Sequence, residues 1–400
     1  MPDYLVRPYD VLFFRGNKSF YFGEWYAEGV FPPYPSTFQG FVRSKILFDN
    51  GLIDTEGRLT DAEKAKNAVG TNTEMKCAIT GPYLMDEKTK KVYFKTPADL
   101  FRKQPHLNCC SSALRNIGNE MESDLDFPLS ITEHPKEKLD NLYPPDLISL
   151  EELKQYRTLL NHIEVEDKEL FVNEDRVIIG FDKEEAKKNN RWVQDKRFCV
   201  TQYKRLRDNM RFYCSVDKDI ADGPLKLGSE AHPVYIQKMQ DEDAGMIEKS
   251  LNYSRHELID TILETKTFRM VLLQHGLFKN GWFPFDYRDP NSKKPCARVE
   301  GLDLKLRFAF TGQPIKISGY SFLKTKDKQQ QSNIELKPVV HAVPAGAVYL
   351  FEITNDCTRE AVEGFVNKYD NKSIEYKPYS QMGFNHLIFG VGPEKPKEVS

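Results

Sequence analysis

The residues of this chain that could do acid–base, metal or nucleophilic work do not assemble into a complete constellation. His256-Glu257-Leu258-Ile259-Asp260 nearly matches the zinc-protease pattern. That chemistry needs imidazoles at i and i+4 on one helical face, with a glutamate between them as base. Asp260 stands where the second imidazole is required and no further ligand is in view, so the segment reads as a surface helix. Gly16-Asn17-Lys18-Ser19 ends like a phosphate-binding loop but lacks the earlier glycine, and reads as a turn. No Gly-x-Ser-x-Gly elbow occurs. Cys109-Cys110 lies near His106, but closeness along the chain does not make a thiolate–imidazole pair. The eight histidines are scattered without ligand spacing. His386, inside a glycine-bounded segment, is the one to follow, either as a satisfied strand residue or as a ring on which a base stacks.

Recognition without bond making has a positive signal. Residues 196–211 carry the cations Lys196, Arg197, Lys204, Arg205, Arg207 and Arg211 against a single acid, Asp208. Phe198, Tyr203, Phe212 and Tyr213 are interleaved with or adjoin them. Single-stranded RNA needs this combination, cations for phosphates and flat rings for unstacked bases. A hairpin here projects Arg205 and Arg207 from its tip. Four phosphate contacts would give a log–log salt slope of about −3. The same stretch also suits an exposed hairpin whose charges are merely solvated. Gly383 and Gly390 flank an apolar strand near the end, and glycine permits close backbone approach to a ribose–phosphate track.

Composition narrows the rest. Four hundred residues exceed what one core usually fills, so two domains are expected. A net charge of −2 advertises no nucleic acid globally, so any RNA surface must be a local patch. The seven cysteines include no Cys-x-x-Cys pair, which argues against a zinc ribbon and a disulfide framework. The opening Met1-Pro2-Asp3-Tyr4 shows no signal peptide, and no apolar run approaches the ~18 residues of a membrane span. A cytoplasmic protein without metal or cofactor is expected.

The elements that must hold these residues follow from pattern. Val11-Leu12-Phe13-Phe14 reads as a buried strand. Past Phe31-Pro32-Pro33-Tyr34-Pro35, a helix is predicted with Ser36 as N-cap and Gln39 completing a capping box. Its core face is Phe38, Phe41, Val42 and Ile46, which leaves Arg43 available for binding. Residues 80–84 and 91–95 form a hairpin, and 177–181, 197–203 and 210–216 are strands. The region 102–167 is irregular and acidic, and reads as a solvated insertion. In the second half a helix lies around Leu258, Ile259 and Ile262, with a strand at 267–273. Residues 302–310 suit helix or strand, 314–320 and 347–353 are strands, and 358–366 is a helix. The pattern predicts an α+β fold in two domains, 1–222 and 223–400, divided near Asp222-Gly223-Pro224.

Several landmarks occur in an order that resembles one family. They are Asp10-Val11-Leu12-Phe13-Phe14-Arg15, then Phe31-Pro32-Pro33-Tyr34-Pro35-Ser36-Thr37-Phe38-Gln39-Gly40 with Arg43, then Gly81-Pro82-Tyr83-Leu84 and Tyr93-Phe94-Lys95-Thr96-Pro97-Ala98-Asp99-Leu100. Leu227-Gly228-Ser229-Glu230, Gly281-Trp282-Phe283-Pro284, Ile317-Ser318-Gly319-Tyr320, Val343-Pro344-Ala345-Gly346-Ala347-Val348-Tyr349 and Gly383-Phe384 follow. The chain is similar in these to the third, RAMP-superfamily subunit of the Cmr module of type III-B CRISPR effector complexes. It departs from the family at Ser229 and Asn385, where glycine is frequent.

The resemblance implies two tandem ferredoxin-like (RRM-like) domains with insertions and a C-terminal glycine-rich loop. It implies a non-catalytic subunit that binds the repeat-derived 5′ tag of the CRISPR RNA. Its partners would be the large palm-domain subunit and the backbone RAMP subunits. The residues expected at the RNA are Arg43, Arg197, Lys204, Arg205, Arg207, Arg211, Gly383, Phe384, Asn385 and His386. RAMP relatives that cleave repeat RNA without metal provide the alternative, a endoribonuclease whose base would be His386 or His341 beside a tyrosine or lysine.

Overall fold

The computed structural model describes residues 1–16, 26–54, 58–103, 106–109, 114–116, 129–131, 146–158, 162–166, 168–181, 193–240, 242–252, 254–291, 294–323 and 333–392. Within these the description is of backbone only at 28, 101–103, 106–109, 114–116, 129–131, 162, 178–181, 193–199, 320–323 and 333–336. The turn at Gly16-Asn17-Lys18-Ser19, most of the acidic 102–167 region and the polar residues 327–331 therefore lie wholly or largely outside the described residues. Within that acidic region, however, 147–158 is a strand and a helix with Ile148, Leu153 and Tyr156 buried, not a solvated insertion.

The first sheet uses β1 (Asp3–Pro8), β3 (Ile79–Asp86), β4 (Lys91–Lys95), β5 (Leu147–Ser149), β8 (Met210–Val216), β9 (Gly223–Leu227) and β10 (His232–Lys238), in the spatial order β9-β10-β1-β8-β3-β4-β5. Beside it, β6 (Phe171–Phe181) and β7 (Val193–Leu206) form a long antiparallel hairpin, to which β2 (Tyr26–Glu28) adds in parallel. The second sheet contains β11 (Thr267–Leu272), β12 (Cys296–Val299), β13 (Leu302–Phe310), β14 (Val348–Ile353), β15 (Lys372–Ser373) and β16 (His386–Val391), ordered β12-β13-β14-β11-β16-β15. Among the described residues there are six α-helices: α1 (Pro35–Asp49), α2 (Ala62–Val69), α3 (Leu150–Thr158), α4 (Met246–Asn252), α5 (Arg255–Thr265) and α6 (Arg359–Tyr369). The α+β expectation holds.

The two sheets face each other across a shared core that also takes in α3 and α4, while α1 covers the outer side of the first sheet and α5 and α6 that of the second. In the first, Tyr4, Val6, Leu84, Phe212 and Cys214 share a core with Phe38, Phe41, Val42 and Ile46 of α1. Alternation along the same strands turns Tyr83, Met85 and Tyr213 to the opposite face. There they meet Val271, Leu273, Val348 and Ile388 of the second sheet. The outer face of the second sheet, Phe268, Met270, Tyr349, Phe351, Leu387 and Phe389, packs on α5 and α6. Strands covered on both sides read as near-continuous apolar runs, and every residue of β11, β14 and β16 is buried, Arg269, Glu352 and His386 among them.

Several local expectations need correction. The buried face of α1 is as predicted, but its N-cap is Tyr34, and no side chain caps it. Pro35 takes the first helical position, where its missing N–H costs nothing. Gln39 instead turns inward and donates to the Cys77 carbonyl at 2.6 Å. Residues 11–14 are buried but form no regular strand: among the described residues their backbone pairs with β7 in the isolated bridge Leu12–Lys204, and Phe13 packs on Tyr203. Residues 302–310 are a strand, and of 314–320 only Ile315–Ile317 is strand before the turn. The central strand β1 was not expected at all. A division after residue 222 would separate β9 and β10 from the sheet in which they pair, since β10 bonds directly to β1.

Candidate nucleic-acid interface

The basic stretch is not itself a hairpin with Arg205 and Arg207 at its tip: β7 pairs with β6, β8 belongs to the first sheet, Arg205 lies within β7, Arg207 just after it and Arg211 on β8. Opposed residues of an antiparallel pair share a face, and the register sets Tyr203 against Glu174, Thr201 against Arg176 and Arg205 against Val172. This gathers Arg176, Arg205, Tyr203 and Glu174 on one side, and Asp10, just after β1, reaches the same cluster. Arg205 donates through Nε to Glu174 at 2.7 Å and through Nη2 to Asp10 at 2.9 Å. Arg176 donates to Glu174 at 2.6–2.8 Å and to Asp10 at 3.3 Å. The two arginine and two carboxylate side chains remain between 32% and 48% exposed. The Arg176 guanidinium lies 5.3 Å from the centre of the Tyr203 ring, whose hydroxyl donates to Glu230 at 2.7 Å.

The electrostatics follow from those contacts. Bonds from Arg205 and then Arg176 hold the Glu174 carboxyl below its ordinary range. For Asp10, partial desolvation pushes upward, but the bonds from Arg205, the Val11 amide and Arg176 prevail and lower it. Both acids are charged at neutral pH, and the patch is an alternating array of charges rather than a bare basic surface.

The other predicted cations are also engaged. Lys204 is buried, its ammonium on Asn173 at 2.6 Å and Gln202 at 2.9 Å. Arg207 is half exposed and paired with Glu169. Arg211, largely buried, bonds Glu87 at 2.9 Å. Arg43 braces the turn after α2 through the Gly70 carbonyl at 3.1 Å and Asn72 at 3.3 Å. Its Nε has no partner among the described residues, and burial lowers its pKa. Arg197 lies on β7, but its side chain is outside the described residues. The structure thus brings Arg205 together with the unpredicted Arg176 and Asp10, and sets Arg43 and Arg211 elsewhere.

The C-terminal segment goes inside the molecule. Gly383 has φ +95°, and a Cβ there would stand 2.7 Å from the Gly81 carbonyl oxygen of β3. Phe384, Asn385 and His386 are at most 3% exposed. Asn385 adopts φ +66°, a conformation that asparagine tolerates better than most residues. Its amide accepts from Leu277 N at 2.6 Å and donates to the Ile374 carbonyl at 3.1 Å. The departure from glycine at this position is thereby accommodated. Ser229, the other departure, accepts from Arg15 N at 2.9 Å and donates to the Phe13 carbonyl at 3.1 Å.

A histidine–tyrosine pair, not foreseen from sequence, does exist. His386 Nδ1 lies 2.5 Å from the Tyr83 hydroxyl, and Nε2 lies 3.1 Å from Asn371 Oδ1. Burial pushes the imidazole down to about 4, so it is neutral at pH 7. Both ring nitrogens are occupied and both rings are enclosed between the sheets, where no phosphodiester can reach. His341 is exposed on the strand Val340–Ala342. Asp260, of the protease-like segment, pairs with Arg359. Among the described residues no group of three His, Cys, Asp or Glu is arranged to hold a metal ion, and no helix is long and apolar enough to cross a membrane. A cleft of about 490 Å³ in the second half, which includes Lys279, Arg298, Lys368, Tyr369 and Tyr376, was not signalled by sequence.

Comparison with known proteins adds the family. The model of the CRISPR-associated protein Cas_Cmr3 matches residues 4–392. No curated protein matches the sequence. Among solved structures, a chain of the cryo-EM structure of type III-B Cmr-beta bound to cognate target RNA and AMPPnP has a TM-score of 0.45 and 14% identity, covering 96% of this chain and 95% of that one. A chain of Cmr-beta bound to cognate target RNA has a TM-score of 0.45 and 15% identity, covering 96% of each. With its model matched over nearly the full length, the chain belongs to the Cmr3 family of CRISPR-associated proteins.

Proposed function

We propose that this chain is a non-catalytic, guide-binding subunit of a type III-B Cmr effector complex. It holds the repeat-derived 5′ tag of the CRISPR RNA and docks to the large palm-domain subunit and the backbone subunits. The observation that carries the reading is the family match over residues 4–392, which applies it to the chain as a whole. The exposed arginines of the β6–β7 hairpin supply forks that suit phosphate. The enclosed Tyr83–His386 pair offers an endoribonuclease no accessible base.

The fold belongs to the same proposal. The central strands run β10-β1-β8-β3 in the first sheet and β16-β11-β14-β13 in the second. In chain order each is fourth, first, third, second, the arrangement of a ferredoxin-like unit. A helix fills the first crossover in one unit (α1) and the second crossover in the other (α6). We place the border after Lys238, where the last strand of the first sheet ends. The turn at Gly383 is the counterpart of the glycine-rich loop.

Co-expression with partner subunits and a CRISPR array, followed by sequencing of the bound RNA from its 5′ ends, tests this reading. Guides with uniform repeat-derived tags are expected, retained by the wild type and depleted in Arg205→Ala/Arg207→Ala. Recovery of partners with no guide would refute it. Incubation of the purified chain with repeat RNA should yield no product.

A further inference from the structure

The arginines of the hairpin are already occupied by an internal anion set, and this has a consequence for binding. Asp10 and Glu174 each contact both Arg176 and Arg205, at 2.6–3.3 Å. All four side chains are 32–48% exposed, so they are held by geometry rather than by exclusion from water. Arg176 is steadied by the Tyr203 ring and Tyr203 by Glu230, which fixes one guanidinium without consuming its donors on a buried acceptor. Asp10 comes from just after the first strand and Glu174 from the hairpin, so two separate segments deliver carboxylates to one pair of cations.

We propose that Asp10 and Glu174 occupy, in the free protein, the places that two RNA phosphates take on Arg176 and Arg205, and so set the affinity threshold of this surface. The proposal rests on the RNA-binding reading above and adds Arg176 to its contacts. A carboxylate and a phosphate present the same pair of acceptor oxygens to a guanidinium fork. Exposed ion pairs are weak, so exchange is cheap, yet RNA must still displace an acid at every contact. A weakly held, non-cognate strand fails to do so, whereas a strand fixed at further points succeeds. The acids also keep the two like-charged guanidinia together and correctly oriented before RNA arrives.

Salt dependence distinguishes this from simple attraction. When phosphate meets a free arginine, the counterions condensed on the RNA are released. When phosphate displaces a carboxylate, that acid recruits a cation in turn, and the net release is smaller. The wild-type slope should therefore be shallow for the number of arginines present.

The test uses the purified full-length chain and a labelled single-stranded RNA bearing the repeat-derived tag, with an oligouridylate of equal length beside it. Asp10→Asn/Glu174→Gln is expected to bind both about threefold to tenfold more tightly at ~0.15 M salt, with the tag-to-oligouridylate ratio reduced. Its log–log salt slope should steepen by about 0.7 for each arginine contact freed. Asp260→Asn/Glu363→Gln, which makes the same change of charge around Arg359, should leave affinity and slope near the wild type. Arg176→Ala/Arg205→Ala should weaken both RNAs. If the arginine variant weakens binding but the acid variant does not strengthen it, the acids are not competitors and the proposal falls while the RNA-binding reading stands. If neither variant changes binding, the hairpin is not the contact and the proposal falls with that assignment. Equal gains from the Arg359 control would reduce the effect to net charge and also overturn it.

Discussion

Two sets of arginine–carboxylate pairs in this molecule do opposite work. On the hairpin, Arg176 and Arg205 face Asp10 and Glu174 in water. Between the sheets, Arg157 bonds Asp370 at 2.7 Å and Arg269 approaches Asp99 at 3.4 Å, all four side chains fully enclosed. Further bonds satisfy most of the enclosed set, although Arg157 Nε has no partner among the described residues and Arg255 also approaches Asp370 at 3.5 Å. Asp99 also accepts from the Tyr156 hydroxyl at 2.8 Å, and Asp370 from Phe389 N at 2.9 Å. Arg157 donates to the Leu251 carbonyl and Arg269 to those of Tyr156 and Val391. The chemistry is the same and the solvent decides its use. Enclosed charges cannot be left unpaired and so lock α3 against the second sheet, whereas exposed ones can change partners.

The largest effect should come from breaking an enclosed pair. Asp370→Asn leaves Arg157 uncompensated and should destabilise the chain by roughly 3–5 kcal/mol, read from the urea midpoint. Arg157→Met combined with Asp370→Asn should recover part of the loss, because the fully enclosed orphan is gone while Arg255, the other arginine at Asp370, is partly exposed to water. If the double variant is no better than the single, the lock acts through packing and the electrostatic half of the comparison is wrong.

The junction should also sense pH. His386 and His275, whose Nδ1 accepts from Ala345 N at 3.0 Å and whose carbonyl accepts from Asn385 N, are both pushed down to about 4 by burial, against an ordinary value of about 6.5. Between those values the unfolded chain binds more protons, so stability is complete above pH 6.5 and is lost as pH falls toward 4. At pH 5 the loss is roughly 2 kcal/mol for each histidine. Midpoints at pH 7.5, 6 and 5 should fall in that order, and His386→Gln should flatten the trend by about half. A midpoint independent of pH over this range would show that neither ring is held neutral.

Gly383→Ala should cost roughly 1–2 kcal/mol from its left-handed backbone alone, with an added clash against the Gly81 carbonyl. The same substitution at Gly301, φ +81° with nothing within 4 Å, isolates the backbone share. Equal losses at both positions would remove the close approach of the terminal turn to β3 from the account.

What was legible in the sequence was what depends on neighbours along the chain. The apolar face of α1, the strands of the basic stretch and the largely apolar β14 and β16 declare themselves in windows of a few residues. The strand β1 did not, because Asp3, Arg7 and Pro8 leave only Tyr4 and Val6 to mark its inner face. The acids of the hairpin were missed for a different reason. Counting cations against acids in 196–211 sees Asp208 alone, whereas Glu174 comes from the paired strand and Asp10 from near the start of the chain. Likewise a glycine at positive φ is readable at Gly383, but the carbonyl that requires it belongs to β3, some three hundred residues earlier.

The smallest expected effect on stability is the most informative. Arg176→Ala/Arg205→Ala removes as many guanidinia as the enclosed set contains, yet leaves Asp10 and Glu174 exposed to water, where an unpaired carboxylate is fully solvated. The urea midpoint should stay within the scatter of ordinary surface substitutions. Guide RNA recovered with the co-expressed subunits should nevertheless fall sharply. Loss of guide with no loss of stability would place the hairpin arginines among groups kept for a ligand. A fall in stability like that of Asp370→Asn would mean that the exposed array is also structural, and the contrast between the two regions would collapse.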